Sequence, residues 1–67
     1  MEFRVYDRVR VRGQHFGVHG VLVDGPYPSC DNSRGWTVEL VSGEETIDVI
    51  VCSEKDLFLI SREARNV

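Results

Sequence analysis

Arg8-Val9-Arg10-Val11-Arg12 alternates strictly between charged and apolar residues. Only an extended strand sorts such a run into two clean faces, because successive side chains point to opposite sides of the chain. The valines therefore face a core and the three arginines face outward. The same period returns at Trp36-Thr37-Val38-Glu39-Leu40, which groups Trp36, Val38 and Leu40 on one face. It returns again at Thr46-Ile47-Asp48-Val49-Ile50-Val51, read with Ile47, Val49 and Val51 inward. Ser42-Gly43 between these two runs is a tight hairpin signal. Val18 to Asp24 makes a further strand, although Val21, Leu22 and Val23 are all apolar and leave its inward parity open. Leu57 to Ile60 makes a short last one. Just before it, Ser53-Glu54-Lys55-Asp56 reads as one capped 3₁₀ turn, since Ser53 can accept a bond from a following N–H and Glu54 suits a helix N-terminus.

Five short strands, a broad loop after the second and one helical turn before the fifth predict an all-β fold. Its expected form is a five-stranded SH3-like barrel over residues 1–60, with a short tail at 61–67, closure removing the edges that invite aggregation. Residues 25–34 and the tail are expected to be irregular. At 67 residues the chain is one domain that buries a small core, so contact with a partner is a fair expectation. Its 42% hydrophobic content and 28% charge suit a globular chain, and the net charge of −3 exerts no global pull toward nucleic acid. The charge is uneven: residues 1–36 hold five Arg against four carboxylates, and residues 37–67 hold three basic against seven acidic residues. A basic surface must belong to the first half. The N-terminus shows no apolar core of signal-peptide length, and no purely apolar run, Val49 to Cys52 included, exceeds four residues, too short to span a bilayer. A cytoplasmic protein with no membrane partner is expected, with Cys30 and Cys52 as free thiols.

Two resemblances rest on particular residues. The run Asp7-x-Val9-x-Val11, followed by Gly13-xxx-Gly17-xx-Gly20-x-Leu22, resembles the KOW motif of ribosomal and transcription-elongation proteins. That resemblance implies a small barrel and an RNA or ribosome contact. Asp7-Arg8-Val9-Arg10, Gly25-x-Tyr27 and Gly35-Trp36-x-Val38-Glu39 resemble the plasmid-borne type II dihydrofolate reductases, single SH3-like barrels of similar length. That family's catalytic Val-Gln-Ile-Tyr segment falls on Ile47-Asp48-Val49-Ile50, where the Gln and Tyr are absent. The second resemblance therefore implies shared architecture without the reaction.

Arg8, Arg10 and Arg12 on one strand face, near His15, His19 and Arg34, could contact phosphates. The plainer reading pairs them with Glu39, Glu45 or Asp48 across neighbouring strands. Gly13, Gly17 and Gly20 either turn a barrel corner or expose His15, Phe16 and His19 as a contact point. Phe16 decides between these, because a large apolar side chain at a loop tip is either a lid on the core or offered to a partner. Tyr27 lies between two prolines in "GPYPSCDNSRG", and Trp36 is expected to be half-buried at the start of its strand. His15, His19, Cys30 and Cys52 lack the close spacing of a zinc site, and no nucleophilic or phosphate-cradling motif is present.

The expectation from sequence is a non-enzymatic binding module without cofactor or metal. It docks on a protein partner through Arg10, Arg12, His15, Phe16, His19, Tyr27, Arg34 and Trp36. The alternatives are a KOW-like RNA, ribosome or transcription-complex contact, and an oligomeric protein of the type II reductase kind in which several barrels share a pore lined by Ile47, Asp48 and Ile50.

Overall fold

The computed structural model describes residues 2–28 and 32–62. Cys30 and the tail beyond Arg62 lie outside them. Five antiparallel strands form one sheet: β1 (Arg8–Val11), β2 (Val18–Pro28), β3 (Arg34–Ser42), β4 (Glu45–Ser53) and β5 (Leu57–Ser61). A 3₁₀ turn at Glu54–Asp56 precedes the last strand. Ser53 caps this turn as expected, its side chain accepting from the Lys55 amide. The hydrogen-bonded order is β4-β3-β2-β1-β5. The ladder thus ends on β4 and on β5, which do not pair with one another.

The sheet curls around its core. Phe3, Val9, Val11, Leu22, Trp36, Val38, Leu40 and Leu57 form one buried cluster. It unites β3 with β5 although two strands separate them in the order, and a flat sheet would hold those strands too far apart to share a core. The 3₁₀ turn helps to hold the curl, since the Arg12 amide donates to the Asp56 carbonyl at 2.9 Å and the Trp36 indole Nε1–H donates to Glu54 Oε2 at 2.8 Å. Asp7 is a buried carboxylate that ties the two ends of the described chain together. It accepts from the Arg4 amide at 2.9 Å and from Arg62 Nη1 at 2.8 Å.

Val9 and Val11 face inward and Arg10 outward, as the alternation requires. Trp36, Val38 and Leu40 are buried together, and Ser42 pairs with Glu45 across the two-residue turn Gly43-Glu44. Gly20 is needed for space. It sits on the inner face opposite Val9 and Leu40, where an added Cβ would collide with Val38 Cγ1. Gly13 and Gly17 bear out the expectation of a turn, with φ of +88° and +91°.

Three expectations are corrected. Residues 25–28 and 34 are not irregular: β2 runs on to Pro28 and β3 starts at Arg34, with register shifts on either side of Asp24 absorbing the bend. The parity of β4 is the reverse of that read from sequence. Ile47, Val49 and Val51 are 51%, 54% and 69% exposed, while Ile50 and Cys52 pack against the core. Val49-Ile50-Val51 is apolar at every position, so alternation alone could not choose the face. Finally, Arg12 pairs with Asp56 at 3.3 Å, not with Glu39, Glu45 or Asp48. The neighbours of β1 are β2 and β5, which leaves β3 and β4 beyond cross-strand reach.

Candidate functional site

The β1–β2 loop closes on itself through two backbone bonds, Gln14 N–H to the Val11 carbonyl at 3.3 Å and Val18 N–H to the His15 carbonyl at 3.1 Å. These turns lift Phe16 to the tip, where it is fully exposed. It is not a lid. Beneath the tip lies a concavity of about 600 Å³. Its walls include Arg10, Arg12, His15, Phe16, Phe58 and Ile60, and His19 also lines it. None of the described residues that line it is acidic, although the chain as a whole is.

Phe58 organises this surface. It stands opposite Arg10 in the β1–β5 ladder, and the guanidinium carbons of Arg10 and Arg12 lie 5.8 Å and 5.5 Å from its ring centre. Both cations are thus within cation–π range of one aromatic ring. Arg12 is partly neutralised by Asp56, an exposed pair that contributes little to stability. Arg10 has no ion pair among the described residues. Burial, and then the Arg8 guanidinium, hold the His19 pKa below its ordinary value, so His19 stays neutral near pH 7. The surface therefore offers two cations, a neutral imidazole, and apolar walls at Phe16, Phe58 and Ile60. That combination suits a ligand carrying both a large apolar group and negative charge.

The structure brings Arg10, Arg12, His15, Phe16 and His19 to this one place and leaves the other expected residues elsewhere. Tyr27 and Arg34 line a separate, shallower concavity of about 370 Å³ with Pro26, Pro28, Asn32 and Ser33. His19 and Tyr27 stand eight positions apart on β2, up to about 26 Å along an extended strand. Tyr27 is half-buried, its hydroxyl 2.6 Å from Thr37 Oγ1. Arg34 is held by Glu54 at 3.1 Å. Trp36 is a correction. At 1% exposure it is a core residue, not half-buried, and no surface contact can reach its ring.

Phe58 and Ile60 were not singled out in the sequence, yet they line the main concavity. The sequence carries no signal for their face, because Leu57-Phe58-Leu59-Ile60 is apolar at every position; it is the burial of Leu57 in the structure that sends Phe58 and Ile60 to the outer face. Cys52 is half-buried, and burial and then Asp56 push its thiol pKa up, so it is a poor nucleophile at neutral pH. Among the described residues no cluster of His, Cys, Asp and Glu could hold a metal ion. Ile47, Asp48 and Val49, at the positions of the reductase segment, are exposed on β4.

Fold and surface together define an all-β chain with one cationic, aromatic-lined concavity at the β1–β2 loop. Compared with family models, curated proteins and solved structures, the chain matches none.

Proposed function

We propose that this chain is a non-enzymatic, SH3-like binding module that docks on a protein partner through the β1–β2 loop and the adjoining face of β1 and β5. The observation that carries this reading is the full exposure of Phe16 above a concavity walled by Phe58, Ile60 and two arginines. Exposing a phenylalanine to water forgoes the stabilisation that burying an aromatic side chain gives, about 1.5–3 kcal/mol, so the core gains nothing from its position. A partner side chain seated between Phe16 and Phe58 would recover that burial. The preferred partner segment is extended, carries a large apolar residue, and has a carboxylate close by to meet Arg10. Arg12 adds to the local positive charge but already has Asp56 beside it.

Capture from native lysate with immobilised wild-type chain and with Phe16→Ala, each with and without nuclease, tests the reading. A protein partner that survives nuclease and is lost with Phe16→Ala is the expected result. Loss of every partner on nuclease treatment overturns it. In that case steep weakening by salt, relieved in Arg10→Ala/Arg12→Ala, would assign the surface to RNA.

A further inference from the structure

Arg8 shares the outer face of β1 with Arg10 but does not line the concavity. The β1–β2 ladder sets Arg8 opposite Val21 and Val9 opposite Gly20, so Val9 turns to the core and Arg8 to the outside. The register shift in the β1–β5 ladder falls on β5, where Ser61 stands opposite Arg8 and Leu59 opposite Val9. It leaves the alternation of β1 intact. Neither cross-strand neighbour of Arg8, Val21 or Ser61, is charged, and Asp7, beside it in the chain, is buried and paired with Arg62. Arg8 therefore has no ion pair among the described residues, and its Nε is buried without a hydrogen-bond partner. Buried donors nearly always find an acceptor, and an unmet one is costly. The charge of Arg8 reaches the concavity all the same. His19 lines that concavity, and its pKa is lowered by burial first and by Arg8 second. Arg8 thus continues the cationic edge of the concavity along β1, away from the loop.

We propose, building on the reading that a protein partner docks at the β1–β2 loop, that the partner segment carries two acidic residues at alternate positions, one for Arg10 and one for Arg8. Arg8 and Arg10 stand two positions apart on one strand, about 6.8 Å between Cα atoms, and the side chains on one face of an extended segment repeat at the same interval. An apolar residue at the loop end, followed at alternate positions by two acids, matches Phe16, Arg10 and Arg8 in that order. Charge chooses this occupant. Of the three arginines, Arg12 already has Asp56, which leaves two free cations for two carboxylates. A nucleic-acid strand, with a phosphate on every nucleotide, would run on from them toward Asp56 and over a chain of net charge −3. Turning toward a carboxylate forfeits no hydrogen bond at Arg8 Nε, which has none to lose, and gives the guanidinium a charge-assisted partner.

Chemical-shift titration of the isotope-labelled full chain tests the proposal with end-blocked peptides at low salt, up to millimolar concentration. The probes are Phe-Thr-Glu-Thr-Glu, Phe-Thr-Glu-Thr-Gln and Phe-Thr-Gln-Thr-Gln, each also in reversed order. The diacid should bind at least about threefold more tightly than the monoacid, and added salt should erase the gain. That comparison uses the wild type alone. In Arg8→Gln the diacid and monoacid should bind alike, and Arg8→Lys, which keeps the charge, should keep part of the gain. Equal affinity of diacid and monoacid for the wild type overturns the proposal, as does a gain that survives Arg8→Gln, or no binding by any of the peptides. Tighter binding of a single-stranded oligouridylate than of the diacid also overturns it and gives the face to nucleic acid. Failure of the loop-docking reading looks different, for peptide binding would then be indifferent to Phe16→Ala.

Discussion

Replacing Glu54 by Ala removes a carboxylate that no strand contains but on which the core depends. Its Oε2 accepts the Nε1–H of Trp36 at 2.8 Å, and the same carboxylate pairs with Arg34 at 3.1 Å. Trp36 is 1% exposed, so its indole N–H would be left buried without an acceptor, a loss of about 1–3 kcal/mol. The ion pair adds less, about 0.2–1 kcal/mol, because the Arg34 side chain is 41% exposed. Together these give a destabilisation of about 1–4 kcal/mol, with a central value of about 2.5 kcal/mol, against a total of roughly 3–10 kcal/mol for a domain of this size. Urea denaturation followed by the fluorescence of Trp36, the one tryptophan in the chain, measures it directly, and the thermal midpoint should fall by roughly 10–20 °C. Glu54→Gln keeps an acceptor for the indole and should lose about half as much. Arg34→Ala should cost under about 1 kcal/mol. The reasoning fails if Glu54→Ala stays within about 0.5 kcal/mol of wild type, or if the Gln and Ala variants are equally unstable, since the indole bond would then contribute nothing.

Two further perturbations probe the scaffold beneath the loop. Gly20→Ala places a methyl group against Val38 Cγ1, with Val9 Cγ2 and Val11 Cγ2 close behind; the overpacking should cost about 1–3 kcal/mol by chemical denaturation, and a neutral result would mean that β1 can move off β2 freely. Because the His19 pKa is lowered in the fold, first by burial and then by Arg8, the unfolded chain binds the proton more readily. Stability contributed at His19 is therefore full above its ordinary pKa of about 6.5 and lost as pH falls through the folded value. His19→Gln should flatten the denaturation midpoint between pH 7 and pH 5, and an unchanged slope would remove His19 as its source.

By itself the sequence determined the all-β character, the β3–β4 hairpin at Ser42-Gly43, the capped 3₁₀ turn and the inward face of β1 and β3. Each rests on local chemistry, a two-residue period or a turn residue, that holds whatever surrounds it. It also marked His15, Phe16 and the outward arginines as a group, since a loop and its flanking strand are adjacent in the chain. The face of β4 was not determined, because apolar residues at every position from Val49 to Cys52 satisfy either parity. The tertiary structure chose by placing Ile50 and Cys52 over the core. Phe58 reached the concavity only because β5 pairs with β1 across about fifty residues of sequence. The same long-range pairing gave Arg12 to Asp56 instead of to the acids of β3 and β4. Trp36 shows the same division most plainly: its strand was legible from alternation, but its burial required an acceptor for its N–H, which Glu54 supplies because the β3–β4 pairing sets Trp36 opposite Cys52, just ahead of the 3₁₀ turn.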